Sequence, residues 1–346
     1  MRRVLLSTFL LAAAIGATAS GPAAPAERIV AIADVHGGFE PFVSILTTTK
    51  LIDAERHWSG GKTLFVQTGD ITDRGTGVRQ ALDLLMTLEK EAAAAGGKVH
   101  VLLGNHEVMN MLGDMRDVSP EAFASLGGDA AYRAAFGRDG RYGKWLRSKP
   151  ILATIDGTVF MHAGINLEFT SATLDEVNKR ARLDIEGWDV GRRWLEEQNL
   201  VKPSAGFQEV VAAARAEIDR VNAVVAEKKH LPPEERRAAA LVLNVANIGM
   251  SSLFHGEGPL WFRGFSMWTD AEGAGRMSAL LKHYSVSRFI TGHTVQPDGR
   301  ITERFGGSLF LIDTGMLNGR FYPAGRPSAL EITGGVARPI YPAEAR

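Results

Sequence analysis

The sequence predicts an α/β fold, and three observations carry that reading. Short apolar runs rich in β-branched residues alternate with stretches whose apolar residues recur at helical spacing. The first three runs stop abruptly, at Asp34, at Gly69-Asp70 and at Gly104-Asn105. The composition is that of an ordinary globular chain, 346 residues with 45% hydrophobic and 23% charged, which excludes wholesale disorder, collagen-like and coiled-coil structure.

In chain order, residues 28–33 (RIVAIA) read as a buried strand. Phe42, Ile45, Leu46 and Thr49 then follow helical spacing up to Leu51. Residues 63–68 (TLFVQT) form the second strand. Val78, Ala81, Leu82, Leu85, Leu88 and Ala92 line one helical face, which Gly96-Gly97 stops. Residues 98–103 (KVHVLL) form the third strand. This alternation predicts right-handed parallel βαβ units. Residues 151–155 and 158–162 read as two strands turning at Asp156-Gly157, a hairpin signal. From residue 174 to about 247 the pattern becomes helical and charged, with long amphipathic helices over 207–228 and 234–245 separated by Leu231-Pro232-Pro233. We read it as a helical insertion, because apolar strands return at 288–291 and 308–312 to rejoin the main sheets.

The first 26 residues read as an address. Met1-Arg2-Arg3 is basic, residues 4–19 are apolar without a charge, and Ala17-Thr18-Ala19 and Ala24-Pro25-Ala26 both fit a small-residue cleavage pattern. A signal peptide over 1–26, by the Sec more than the twin-arginine route, predicts a periplasmic or secreted product with no membrane anchor after cleavage. Equal counts of 39 basic and 39 acidic residues give no general pull toward nucleic acid or anionic lipid. With no cysteine, disulfides, thiolate metal sites and cysteine nucleophiles are excluded.

Strand ends carry the chemistry. Asp34-Val35-His36, Gly69-Asp70, Gly104-Asn105-His106, Met161-His162 and Gly292-His293 each lie at or just after a predicted strand end. Loops at the carboxyl ends of α/β strands converge, so these five segments bring two Asp, one Asn and four His toward one place. Oxygen and imidazole donors without thiolates suit Mn, Fe or Zn. A lone Asp after a strand is usually a turn former and a lone His a packed or surface residue; five successive strand ends are not. His57, His100, His230 and His283 fit no ligand position, and His255 reads as a loop residue. Trp188, Trp194, Phe207 and Trp261 are accounted for equally by an entrance lining and by helix packing.

The ordered set Asp34-Val35-His36, Gly69-Asp70-Ile71-Thr72-Asp73-Arg74-Gly75, Gly104-Asn105-His106-Glu107, His162-Ala163-Gly164 and Gly292-His293-Thr294 resembles the calcineurin-like metallophosphoesterase superfamily. The D-R-G form is similar to the phosphoprotein phosphatase branch. Gly113-Asp114-Met115-Arg116, residues 258–263 (GPLWFR) and Asp313-Thr314-Gly315-Met316 resemble its bacterial Shewanella-like members. Departures exist: Thr294-Val295 replaces the second His of G-H-x-H, Leu103 stands where eukaryotic members carry Arg before G-N-H-E, and the S-A-P-N-Y-C segment is missing.

The resemblance implies one metallophosphoesterase domain over 27–346, an α/β/β/α sandwich of mixed sheets flanked by helices, with residues 174–247 as a helical cap. It implies two divalent metal ions, one held by Asp34, His36 and Asp70, the other by Asp70, Asn105, His162 and His293. Cations about 3.5–4 Å apart share and acidify a water and neutralise phosphate during in-line attack. His106 corresponds to the general acid, with Asp73 holding its imidazole. Arg74, Arg263 and Arg116 are the candidates for gripping phosphate, since a guanidinium fork matches its oxygens. The expected activity is phosphomonoester hydrolysis, foremost on a phosphorylated protein or peptide. Hydrolysis of a small phosphate ester or nucleotide is the alternative, and a non-catalytic metal-stabilised binding module the alternative of another class. Phosphotyrosine versus phosphoserine or phosphothreonine, the native metal and the oligomeric state are not legible in the residues.

Overall fold

The structure, a computed structural model, describes residues 26–227, 230–317 and 321–343. The expected export signal lies outside these residues except for Ala26, and so does Lys228 at the expected end of one helix.

The predicted βαβ units form: β1 (Arg28–Ile32), α1 (Phe39–Thr48), β2 (Leu64–Gln67), α2 (Val78–Ala94) and β3 (Lys98–Val101), with β1, β2 and β3 paired in parallel. Four short helices follow, α3 (Asn105–Leu112), α4 (Pro120–Ser125), α5 (Asp129–Phe136) and α6 (Arg141–Leu146). The expected hairpin is β4 (Leu152–Ile155) and β5 (Thr158–Met161). Asp156 and Gly157 at its turn both have positive φ, 48° and 72°, as a two-residue primed turn requires. The insertion holds α7 (Leu174–Glu197), α8 (Phe207–Ala226) and α9 (Pro233–Ala246). The chain continues through α10 (Gly264–Met267), α11 (Asp270–Tyr284), β6 (Arg288–Thr291), β7 (Thr302–Arg304), β8 (Leu309–Leu311), β9 (Ala329–Thr333) and β10 (Val336–Ile340).

Two five-stranded mixed sheets result, ordered β10-β9-β1-β2-β3 and β4-β5-β6-β8-β7. Period-two alternation gives each central strand two apolar faces. Along β1, Ile29, Ala31 and the following Ala33 pack with Phe160, Ile290 and Phe310 between the sheets. Val30, Ile32 and the following Val35 face Phe42, Leu82 and Leu85 of the flanking helices. The antiparallel edge β9–β10 was not legible: its strands are short, and Pro339 reads as a breaker. On the outermost strand a proline costs no ladder hydrogen bond, and Gly334-Gly335, both at positive φ, make the turn.

The insertion stands beside the α3 end of the molecule. Thr173 and Glu176 cap α7 reciprocally, and Gly187 and Gly191 let α7 meet α9 closely: a Cβ on Gly191 would lie 2.6 Å from the Leu241 carbonyl oxygen. Trp188, fully buried, stacks on Phe207 with 5.0 Å between ring centroids. Of the two readings of Trp188 and Phe207, packing is the one the structure adopts. Among the described residues no helix is long and apolar enough to cross a membrane.

Candidate metal centre

The carboxyl-terminal ends of β1, β2 and β3 in one sheet and of β5, β6 and β8 in the other converge on one buried cluster. Backbone bonds hold the loops together: the Val35 and His36 amides both donate to the Asp70 carbonyl at 2.9 Å, and the Gly292 amide donates to the His162 carbonyl at 2.8 Å. His36, Asp70, Asp73 and His293 all have positive φ, an unfavourable backbone state for non-glycine residues that the surrounding bonds enforce. Two motif glycines exist because of close approach. A Cβ on Gly104 would sit 2.1 Å from Asp70 Oδ1, and one on Gly292 would sit 2.3 Å from Asp34 Oδ1.

Glu107 ties the second and third loops together. Its fully buried carboxylate accepts the amides of Asp70 (2.7 Å), Ile71 (2.8 Å) and Gly104 (2.9 Å) and the Thr72 hydroxyl (3.1 Å). Gln67 does similar work one layer down, donating to the carbonyls of Ala33 and Gly69 and accepting the Gly69 amide.

Among the described residues, the atoms that could hold a metal fall into two groups that share Asp70. His36, Asp70 and His106 lie within 4.8 Å of one another, and so do Asp70, His162 and His293. Asp34 Oδ2 stands 3.9 Å from His36 Nε2, and Asn105 Oδ1 stands 2.9 Å from His162 Nε2. Thus all six expected ligands are gathered, and His106 joins the first group.

The electrostatics fit cations. Burial, then the neighbouring charges of Asp313 and Asp70, drives the Asp34 pKa well above the usual carboxylate range. Burial would also raise Asp70, but the imidazoles of His162 and His106 outweigh it and hold Asp70 ionised. Burial, then Arg74, pushes His36 well below its ordinary value; burial, then His162 and Arg263, does the same for His293. Neutral imidazoles carry the lone pair that a cation needs. Among the described residues, His293 Nε2 and Asp313 Oδ2 are buried without a hydrogen-bond partner. Crowded acids, neutral imidazoles and orphaned donors are what a divalent metal pair would satisfy.

His106 is oriented by a buried chain. Its Nδ1 lies 2.5 Å from Asp73 Oδ2, while Asp73 Oδ1 accepts Asn110 Nδ2 (2.5 Å) and the Tyr132 hydroxyl (2.9 Å). With Nδ1 taken, Nε2 is turned to the centre, 3.7 Å from Asp70 Oδ2. Burial alone would lower the His106 pKa, but Asp70 and Asp73 outweigh it and push it up to about 9. The imidazole is therefore protonated at neutral pH in the metal-free chain.

Arg74 Nη2 lies 3.5 Å from His106 Nε2, and Arg74 Nη1 donates to the Tyr322 hydroxyl. Arg263 Nη1 donates to Thr294 Oγ1 (3.1 Å) and reaches the His293 carbonyl (3.5 Å). Both expected phosphate-gripping arginines thus reach the centre. Arg116 pairs instead with Asp114 at 2.8 Å and lines a groove with Met115 and Phe207; its bonds do not reach the Asp70 cluster. Trp261 edges onto His293 with 6.1 Å between centroids, so it stands at the entrance; Trp194, half-buried on α7, packs on the helix-facing core. The five histidines set aside are elsewhere: His57 pairs with Glu91, His100 lies on β3, and His230, His255 and His283 are exposed.

Sequence reasoning missed Asn110, Tyr132, Tyr322 and Asp313 as site residues. Asp313 was detectable, since it ends β8 as the others end their strands; it is buried, and burial first, with Asp70 adding, pushes its carboxyl up to about 6. Tyr132 reaches Asp73 from 59 residues away on α5, and no local signal marks it.

The family model for calcineurin-like phosphoesterase matches residues 27–297. Shewanella-like protein phosphatase 1 of Plasmodium berghei (strain Anka) is 26% identical over 313 residues, covering 88% of this chain and 71% of its own. Shewanella-like protein phosphatase 2 of Arabidopsis thaliana is 31% identical over 209 residues, 48% of this chain and 54% of its own. Among solved structures, the cold-active protein-tyrosine phosphatase of a psychrophilic Shewanella species superposes with a TM-score of 0.64 at 26% identity, covering 92% of this chain and 80% of its own. With the two mixed sheets and the shared His/Asp cluster in place, the chain belongs to the calcineurin-like phosphoesterase family and is a metallophosphoesterase.

Proposed function

We propose that this phosphoesterase removes phosphate from phosphorylated polypeptides by direct transfer to water, with His106 as general acid. One observation carries the catalytic reading. Asp73 fixes the His106 imidazole through Nδ1 and turns Nε2 toward the shared ligand Asp70, an arrangement a purely structural metal site does not need. The polypeptide reading is supported by the likeness to proteins named as protein phosphatases. The basic start and apolar run of residues 1–19 support action outside the cytoplasm.

Asp34, His36 and Asp70 would hold one divalent cation and Asp70, Asn105, His162 and His293 the other. Bound there, such ions supply Lewis-acid neutralisation of phosphate charge and an acidified water. The chain supplies the rest. Arg74 and Arg263 bind the outer phosphate oxygens from two sides. Arg74 Nη2 and His106 Nε2 lie 3.5 Å apart, so that with His106 protonated both present donors to one acceptor oxygen of the ester. His106 then passes its Nε2 proton to the departing alkoxide or phenoxide, and Asp73 keeps the ring in place as it becomes neutral.

The test replaces His106 by Asn. Turnover of phenyl phosphate, whose leaving group needs a proton, should fall about 10²- to 10⁴-fold, with metal content retained. Equal phenyl phosphate rates in variant and wild type would overturn the assignment. Matched phosphotyrosine, phosphothreonine and nucleotide substrates test the substrate class: nucleotide hydrolysis outpacing both peptides would refute the polypeptide reading.

A further inference from the structure

Beside the metal centre a groove of about 750 Å³ begins at Trp261 and Arg263 and runs to Arg276 on α11. Its inner end is fixed to the site. The Trp261 ring edges onto His293, and its indole N–H is anchored on the Leu253 carbonyl at 2.7 Å. Arg263 is held by Thr294 and the His293 backbone. An ester whose phosphate meets Arg263 therefore has its remaining bulk at the mouth of this groove.

The lining is chemically mixed. Leu167 is half-buried and Met267 is 74% exposed. Trp268 forms part of the wall, and the Arg276 guanidinium lies over its ring, 5.4 Å from the centroid. That stacking orients Arg276 without neutralising it: among the described residues it has no carboxylate partner, and Arg263 has none either. Among the described residues lining the groove the one carboxylate is Glu257, which accepts Asn166 Nδ2 at 2.5 Å. Two unpaired guanidinium groups thus face one engaged acid.

We propose that this groove is the subsite for the polypeptide on one side of the phosphorylated residue, and that Arg276 selects an acidic side chain there. The inference rests on the polypeptide reading above and adds a specificity. Arg263 takes the phosphate end, Leu167, Trp261 and Met267 receive apolar side chains, and Arg276 meets a carboxylate at the far end. At about 750 Å³ the groove leaves room for chain beyond the phosphorylated residue. Acidic peptide is favoured over basic because the net charge of the lining is positive.

The experiment uses the full-length protein supplied with Mn²⁺ and a phosphopeptide series in which Glu, Ala or Lys is placed in turn at each of three positions on either side of the phosphorylated residue. Every rate is divided by the same protein's rate on p-nitrophenyl phosphate. Wild type should prefer Glu over Lys by about threefold or more in kcat/KM, on one side only, the scale of an exposed ion pair. Arg276→Gln should level that preference and Arg276→Glu should reverse it, with the change residing in KM. A Glu preference that survives both substitutions, or no positional preference in wild type, overturns the subsite. Turnover of p-nitrophenyl phosphate without turnover of any phosphopeptide overturns the polypeptide reading instead, and is distinguishable for that reason.

Discussion

Replacing Glu107 by Gln changes one atom type and probes how the two metal-binding loops are joined. Its Oε2 accepts the amides of Asp70 and Gly104, and Oε1 accepts the Ile71 amide and the Thr72 hydroxyl. A glutamine there has one acceptor oxygen. In its better orientation that oxygen keeps Asp70 and Gly104, and the new NH₂ group faces the Ile71 amide, donor against donor. One buried amide loses its partner, which costs about 1–3 kcal/mol, and the bonds that remain lose the strength of a charged acceptor, about 1 kcal/mol more. Burial and the charge of Asp70 raise the Glu107 pKa, so removing its charge recovers part of this. The gross cost is about 2–4 kcal/mol and the net expectation a loss of about 1–3 kcal/mol, a sizeable fraction of the roughly 5–15 kcal/mol typical of folded domains. Urea unfolding of the metal-free protein measures it, read as a shift in midpoint at constant slope. A loss below about 0.5 kcal/mol would refute the claim that this carboxylate carries the joint.

Two further outcomes follow from the His106 chain. Tyr132→Phe removes one of the two donors on Asp73 Oδ1, so turnover of phenyl phosphate should fall several-fold more than turnover of 2,4-dinitrophenyl phosphate, whose leaving group needs no proton. Equal losses on both esters would assign Tyr132 a packing role only. In the metal-free chain the His106 imidazole should titrate at about 9, as followed by ring NMR signals. Because that folded pKa is raised above the ordinary 6.5, His106 contributes stability that is fully present below pH 6.5 and lost as pH rises through about 9. A metal-free stability curve with the same slope between pH 6.5 and 9 in wild type and His106→Asn would contradict this.

The legible part of the fold was the part encoded locally. The runs at 28–33 and 63–68 are apolar on both faces because both faces are buried. The edge run at 98–103 alternates Lys98 and His100 with buried Val99 and Val101, and the abrupt stops at Asp34, Asp70 and Asn105 mark where backbone leaves the sheet for the site. What escaped is set by partners distant in sequence. β9 pairs with β1 across about three hundred residues, as Ile29 opposite Ile332, and nothing in its five residues announces that neighbour. Helices α4, α5 and α6 are only 6, 8 and 6 residues long, too short for a clear apolar period, yet α5 brings Tyr132 to Asp73. The helices within 174–247 follow their amphipathic spacing, but where they rest was not legible: they lie on the α3 side, with the Phe207 amide on the Gly113 carbonyl, while Trp261 and Arg263 form the entrance. Arg74 and Arg263 reach the centre because each follows a turn that the site itself fixes; Arg116 has Asp114 two residues away and pairs with it.

The sharing of Asp70 between two cation sites is the central claim, and counting metal ions in the active protein tests it most directly. Elemental analysis of the reconstituted wild type should find about two divalent ions per chain, and Asp70→Ala should lose occupancy at both sites together with hydrolysis. One ion per fully active chain, or an Asp70→Ala protein that keeps both ions and hydrolyses phosphate esters at the wild-type rate, would contradict it.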